Sequence, residues 1–142
     1  MTGRLSPIEQ AAVDSVDPLR IEAQLRAILA IPSVTGDEES VQEAMAELMD
    51  EAGLTVERVA TDPALLTGDP DWPGSEMDRT TLPVVIGRTG PAGGRRVIVL
   101  GHVDVVPVGD ETLWRSPPWI PTVVDGALFG RGALPDGFNL FD

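Results

Sequence analysis

Cysteine is absent from these 142 residues, which removes disulfides, thiol nucleophiles, iron–sulfur clusters and thiolate zinc sites. Any metal ion would have to be held by nitrogen and oxygen ligands. Lysine is absent as well: the ten basic residues are scattered arginines facing 23 acidic residues, for a formal net charge of -13. There is no basic stripe for a phosphate backbone, and the charge excess repels anionic lipid, so neither nucleic acid nor a membrane is expected as a partner. No run approaches the roughly 20 apolar residues of a membrane span, and MTGRLSPIEQAAVDSVDP lacks the apolar core of a signal peptide. A cytoplasmic location is the resulting expectation.

What is present suits a single globular domain, with 42% hydrophobic and 23% charged residues. Ser6, Pro7 and Glu9 have the form of a capping box with proline at the first helical position, predicting a short helix from Pro7 to about Ser15. From Leu19, the residues Ile21, Leu25, Ile28 and Leu29 share one helical face, and Pro32 ends that helix. After the polar turn Ser33 to Asp37, Val41, Met45, Leu48, Met49 and Ala52 mark another amphipathic helix, with Gly53 as its C-terminal cap. Glu38, Glu39 and Glu43 in its early turns suit the positive helix end and read as a solvated face, without chemistry.

Thr55 to Val59 alternates like a half-buried strand, and the Pro-, Gly- and Asp-rich stretch from Thr61 to Leu82 reads as a long surface loop. Two apolar runs follow, Val84 to Ile86 and Val97 to Leu100, separated by GRTGPAGGR. They read as neighbouring strands in a hairpin-like connection, the second being the better candidate for a buried central strand. No internal repeat is found. Helices followed by strands with short polar sequences at their ends predict a three-layer α/β arrangement, with functional residues where strands give way to loops.

The informative segment is VIVLGHVDVVPVGD. His102, the one histidine, and Asp104 stand just past the apolar run and, two residues apart in an extended chain, point to the same side. An imidazole there is a good ligand for zinc, and a carboxylate beside it can accept the other ring N–H or ligate directly. Taken alone, the string reads more readily as a strand-end cap at His102 and a turn starting at Asp104 before Pro107. The surroundings shift that balance: Trp114, the pair Pro117 and Pro118, and DGALFGRG follow, with Asp125 and Gly126 forming a turn and Gly130 and Gly132 allowing close backbone approach.

In that order, GHVDVVPVGD, a tryptophan, PPW and DGALFGRGA resemble the dinuclear-zinc family that includes acetylornithine deacetylase, succinyl-diaminopimelate desuccinylase, glutamate carboxypeptidases and aminoacylases. Upstream, IPSVTGDEESVQEAMAELMDEAGLTVERV is similar to that family's first helical region, so nearly the whole chain is covered. The resemblance implies a three-layer αβα zinc-peptidase-like catalytic domain, with residues 1–142 its N-terminal portion and the dimerisation or lid domain absent. It implies zinc, with cobalt as the alternative, as cofactor; His102 as a metal ligand; and Asp104 as the supporting catalytic carboxylate. Family members hydrolyse amide bonds of N-acyl amino acids or small peptides, using a metal-activated water and a glutamate base that is not identifiable in this sequence. VPVGD, the tryptophan and PPW favour the deacetylase side.

The chain also departs from the pattern. In the family, GRGA leads to an Asp-Met-Lys-Gly-Gly-like segment whose aspartate, two positions after the alanine, bridges the metals. That position in this chain is Pro135, and Asp136 is displaced by one, so Asp136 substitutes as a ligand only if the loop readjusts. Family members continue well past the position of Asp142 with further ligands, so the expectation is a truncated, frame-shifted or split product, inactive alone and completed by a C-terminal chain. The competing reading is a non-catalytic folded remnant or partner-binding domain. Trp72, Trp114 and Trp119 could contact substrate, with packing the favoured role for the latter two; Arg95 and Arg96 read as solvated.

Overall fold

The structure, a computed structural model, describes residues 4–75, 77–91 and 93–133. It opens with three helices, α1 (Pro7–Asp14), α2 (Pro18–Leu29) and α3 (Glu39–Glu51). Each of the first two helix N-termini is set by its own sequence. At α1 the Ser6 hydroxyl accepts from Glu9 N–H (3.3 Å) while Ser6 N–H donates to Glu9 Oε2 (2.7 Å), the reciprocal capping box expected. Donation from the Ser6 backbone N–H, then from its hydroxyl, holds the Glu9 carboxyl below its ordinary range. At α2, Asp17 accepts from Leu19 N–H and Arg20 N–H, and Pro18 fills the first position. Helix α1 buries none of its residues, so its capping box and proline are what define it.

Strands β1 (Thr55–Thr61) and β2 (Leu82–Arg88) form an antiparallel pair, in register from Thr55 opposite Arg88 to Thr61 opposite Leu82. Helix α3 lies on this pair, with Val41 and Ala46 fully buried beneath it. Its C-terminus turns through Gly53 at φ +80°, a left-handed conformation that glycine adopts without a Cβ penalty. A second hairpin joins β3 (Thr122–Val124) to β4 (Ala127–Phe129) through Asp125 and Gly126, both at positive φ. That is the two-residue turn that Asp-Gly favours. Arg26 of α2, paired with Glu22 one turn back, donates to the Pro121 carbonyl at 3.0 Å and ties this hairpin to the helices.

The described residues thus form a small α/β domain with two antiparallel sheets, and the α/β class is the one expected. The strand pairing differs from expectation in one respect. The partner of β2 is β1, reached across the long loop, and Val97 to Leu100 lies in no strand, its four side chains 87–92% exposed. An apolar run reports that a segment suits burial, but pairing is decided between segments, and β1 offers β2 a full seven-residue ladder that 97–100 does not. Among the described residues no helix is long and apolar enough to cross a membrane.

Candidate active site

Two distant pieces of chain meet at the GHVDV segment. The turn after α2 runs alongside it, with Val34 and Val105 in a parallel bridge: Val105 N–H donates to the Ser33 carbonyl (2.9 Å) and Thr35 N–H to the Val105 carbonyl (3.1 Å). Ser33 is buried within this junction. The turn then closes through Asp37 N–H to the Val34 carbonyl (2.8 Å) and Gly36 at φ +101°. A Cβ at Gly36 would sit 2.2 Å from Met77 Sδ, so glycine serves both the backbone conformation and the close approach.

On this junction stand His102 and Asp104. His102 Nδ1 lies 3.0 Å from Asp104 Oδ1 and 3.2 Å from the Asp104 carbonyl oxygen. Both neighbours are acceptors, so Nδ1 is the nitrogen that donates towards them. The second carboxylate oxygen, Oδ2, accepts from the Thr35 hydroxyl at 2.9 Å. His102 is 57% exposed at its side chain and Asp104 35%, which places the pair at the surface with the carboxylate on the inner side.

The loop beyond is braced by its own residues. Trp114 Nε1–H donates to the Val108 carbonyl (2.9 Å), a structural anchor in keeping with the packing role favoured for it. Asp110 accepts from the Thr112 hydroxyl (2.7 Å) and N–H (2.9 Å), and these bonds, the hydroxyl's first, lower its carboxyl below the usual range. Arg131 reaches back from the DGALFGRG segment, Nε donating to the Val106 carbonyl (2.8 Å) and N–H to the Pro118 carbonyl (2.7 Å). The family-like motifs, apart in sequence, are therefore joined in space. Arg95 and Arg96 are exposed.

Two features escaped the sequence reading. Glu38, read as part of a solvated face, is buried: Arg79 Nη2 binds both its oxygens (2.5 and 2.6 Å) and Gly36 N–H donates to Oε1 (2.8 Å). Burial raises its carboxyl pKa, but the Arg79 guanidinium and the backbone donors outweigh that and hold it below the ordinary value. Glu43, by contrast, is exposed, paired with Arg58. The other feature is Thr35, whose partner lies 69 residues away with no local signal to announce it. An open depression of about 330 Å³ beside Glu39, Arg58 and Val84 does not include His102 or Asp104.

The donor set fits a metal ion in kind, since an imidazole held at one ring nitrogen by a carboxylate is a common zinc donor. In number it does not: among the described residues, no group of three or more His, Asp or Glu side chains converges to hold an ion. Asp136 and Pro135 lie outside the described residues.

No protein-family model matches the chain. Succinyl-diaminopimelate desuccinylase of Psychrobacter arcticus is 35% identical over 107 residues, 75% of this chain and 24% of the relative. The same enzyme of Bordetella petrii is 36% identical over 111 residues, 78% of this chain and 24% of the relative. The chain therefore spans about a quarter of the length of the curated relatives it matches. Its resemblance to the dinuclear-zinc deacylases, read from GHVDVVPVGD and DGALFGRGA, is borne out by two relatives that carry the name of one of that family's members.

Proposed function

We propose that this chain is the N-terminal portion of the catalytic domain of a metal-dependent amidohydrolase, a three-layer αβα zinc-peptidase-like fold of which it supplies the helices and first strands. The carrying observation is the His102–Asp104 pair, fixed on the junction of two distant segments at the centre of the family-like motif. His102 serves as a metal ligand through Nε2, and Asp104 as the carboxylate that orients it. Zinc, or cobalt in its place, would supply Lewis acidity for the amide carbonyl and the attacking water. Asp136 is the further ligand proposed from this chain, offset by one residue from the family position at Pro135.

The substrate class is an N-acyl amino acid or small peptide; the names of the relatives favour a succinyl group over the acetyl group that VPVGD and PPW suggested. The setting is cytoplasmic. A catalytic zinc takes three protein ligands and keeps an open position, so His102 and Asp136 would need at least one further ligand from outside residues 1–142 to complete the site. Calorimetric zinc titration of the chain and of His102→Ala tests the reading. Binding that disappears in the variant supports it; equal binding by both proteins, or none by either, removes His102 as a ligand.

A further inference from the structure

We infer that Met77 is an oxidation-sensitive anchor: its thioether and the Glu38–Arg79 pair clasp the chain ahead of β2 onto the Gly36 turn, and conversion of Met77 to its sulfoxide loosens that clasp. No metal enters this arrangement. Gly36, at φ +101°, carries no side chain, and the Met77 thioether fills the hollow so left: a Cβ at position 36 would stand 2.2 Å from Met77 Sδ and 2.8 Å from Cε. A polarisable sulfur on an unbranched chain is suited to such a gap. Two residues further on, Arg79 binds both oxygens of the buried Glu38, whose Oε1 also accepts from Gly36 N–H at 2.8 Å. The two anchors therefore grip the same glycine, one where its side chain would be and the other through its amide.

The anchors differ in what can reach them. Glu38 and Arg79 leave only 8% and 14% of their side chains exposed, whereas Met77 is 43% exposed. Met45 and Met49 are half-buried on α3, and Met49 is pressed towards β2, its Sδ 3.0 Å from where a Cβ at Gly87 would stand. Among the described residues, Met77 is thus the thioether that a small oxidant meets first. With hydrogen peroxide, a sulfur lone pair attacks one peroxide oxygen; the S–O bond forms as the O–O bond breaks, the sulfur is oxidised by two electrons and the peroxide is reduced to water. The product places a polar oxygen on the atom that filled the glycine hollow, and the apolar fit is lost. Thr35, beside Gly36 in this turn, donates to Asp104, so a loosened clasp bears on the GHVDV junction from outside it.

Limited hydrogen peroxide treatment of the whole chain, followed by peptide mass mapping and amide hydrogen exchange read by NMR, tests this. Met77 should gain one oxygen before Met45 and Met49. The Gly36 and Asp37 amides should then exchange faster by about fourfold or more, the factor that one buried methylene-sized contact is worth, while amides of the β1–β2 ladder keep their rates. Methionine sulfoxide reductase should restore the slower exchange. Met77→Leu keeps an apolar side chain without the sulfur, and its turn should exchange at one rate before and after peroxide. Earlier oxidation of Met45 or Met49 overturns the inference, and so do unchanged Gly36 and Asp37 rates in protein oxidised at Met77. Equal acceleration in the ladder would mean that the whole domain opens and no local clasp exists. If peroxide loosens the turn of Met77→Leu as it does the parent's, Met77 is not the anchor.

Discussion

At the scale of single residues, the informative contrast is between two carboxylates near the start of α3. Glu43 is exposed and paired with Arg58, an arrangement worth little in water. Glu38 is buried with Arg79, only 8% and 14% of their side chains exposed, and Arg79 Nε has no partner among the described residues. Removing one member of such a pair strands the other charge. Glu38→Gln should therefore cost about 3 kcal/mol at neutral pH, read as a lowered urea midpoint. The pH dependence follows from the sign of the shift. Because the folded carboxyl lies below its ordinary range, its contribution is full at neutral pH, begins to fade near the unfolded glutamate value of about 4.3, and is gone once the pH has fallen through the folded value. The stability gap between parent and Glu38→Gln should accordingly narrow from pH 7 to pH 3; a constant gap would mean that the pair is not what holds Glu38. The sequence concealed this, since an acidic residue in a first helical turn is equally apt in solvent, and Arg79 arrives from 41 residues away.

At the scale of elements, what was legible is what is local. Ser6 with Glu9 and Asp125 with Gly126 each fix their own turn through contacts no more than three residues long, and each stands where it was expected; Asp17 with Pro18 does the same at the start of α2. Pairing was not legible: β2 could be recognised as a strand but not assigned to β1, because the continuous apolar run at 97–100 lies nearer in sequence and the pattern within a segment does not name its partner. One residue of β2 shows how closely α3 then settles on the sheet. A Cβ at Gly87 would stand 2.6 Å from Leu54 Cδ2 and 3.0 Å from Met49 Sδ, closer than packed carbon atoms tolerate. Gly87→Ala should force those side chains aside and destabilise the domain by about 1–2 kcal/mol, although alanine is otherwise the less costly residue in a strand. Chemical denaturation would detect this, and an unchanged or raised midpoint would show that the α3–β2 contact is looser than these distances require.

At the scale of the whole molecule, two sequence features oppose each other. Val97, Ile98, Val99 and Leu100 are each 87–92% exposed, a contiguous apolar run of the kind that recruits another chain. The same molecule carries a net charge of -13, which keeps copies apart. The run is legible in the sequence as material for a buried strand, but burial depends on partners, and none of the described residues pairs with it in a sheet. Repulsion between copies is long-ranged and screened by salt, with a Debye length of about 10 Å at 0.1 M falling to about 3 Å at 1 M. Apolar contact acts at touching distance and is not screened. Raising salt from about 0.02 to 0.5 M, which shortens the Debye length severalfold, should therefore drive the protein from monomer towards larger species in sedimentation velocity. Ile98→Lys breaks the apolar run at an exposed position while lowering the net negative charge, so charge alone would make it associate more readily. If the run drives association, Ile98→Lys stays monomeric at high salt despite its weaker repulsion; if it associates as the parent does, other exposed apolar residues such as Ile8, Leu19 and Leu113 carry the contact instead.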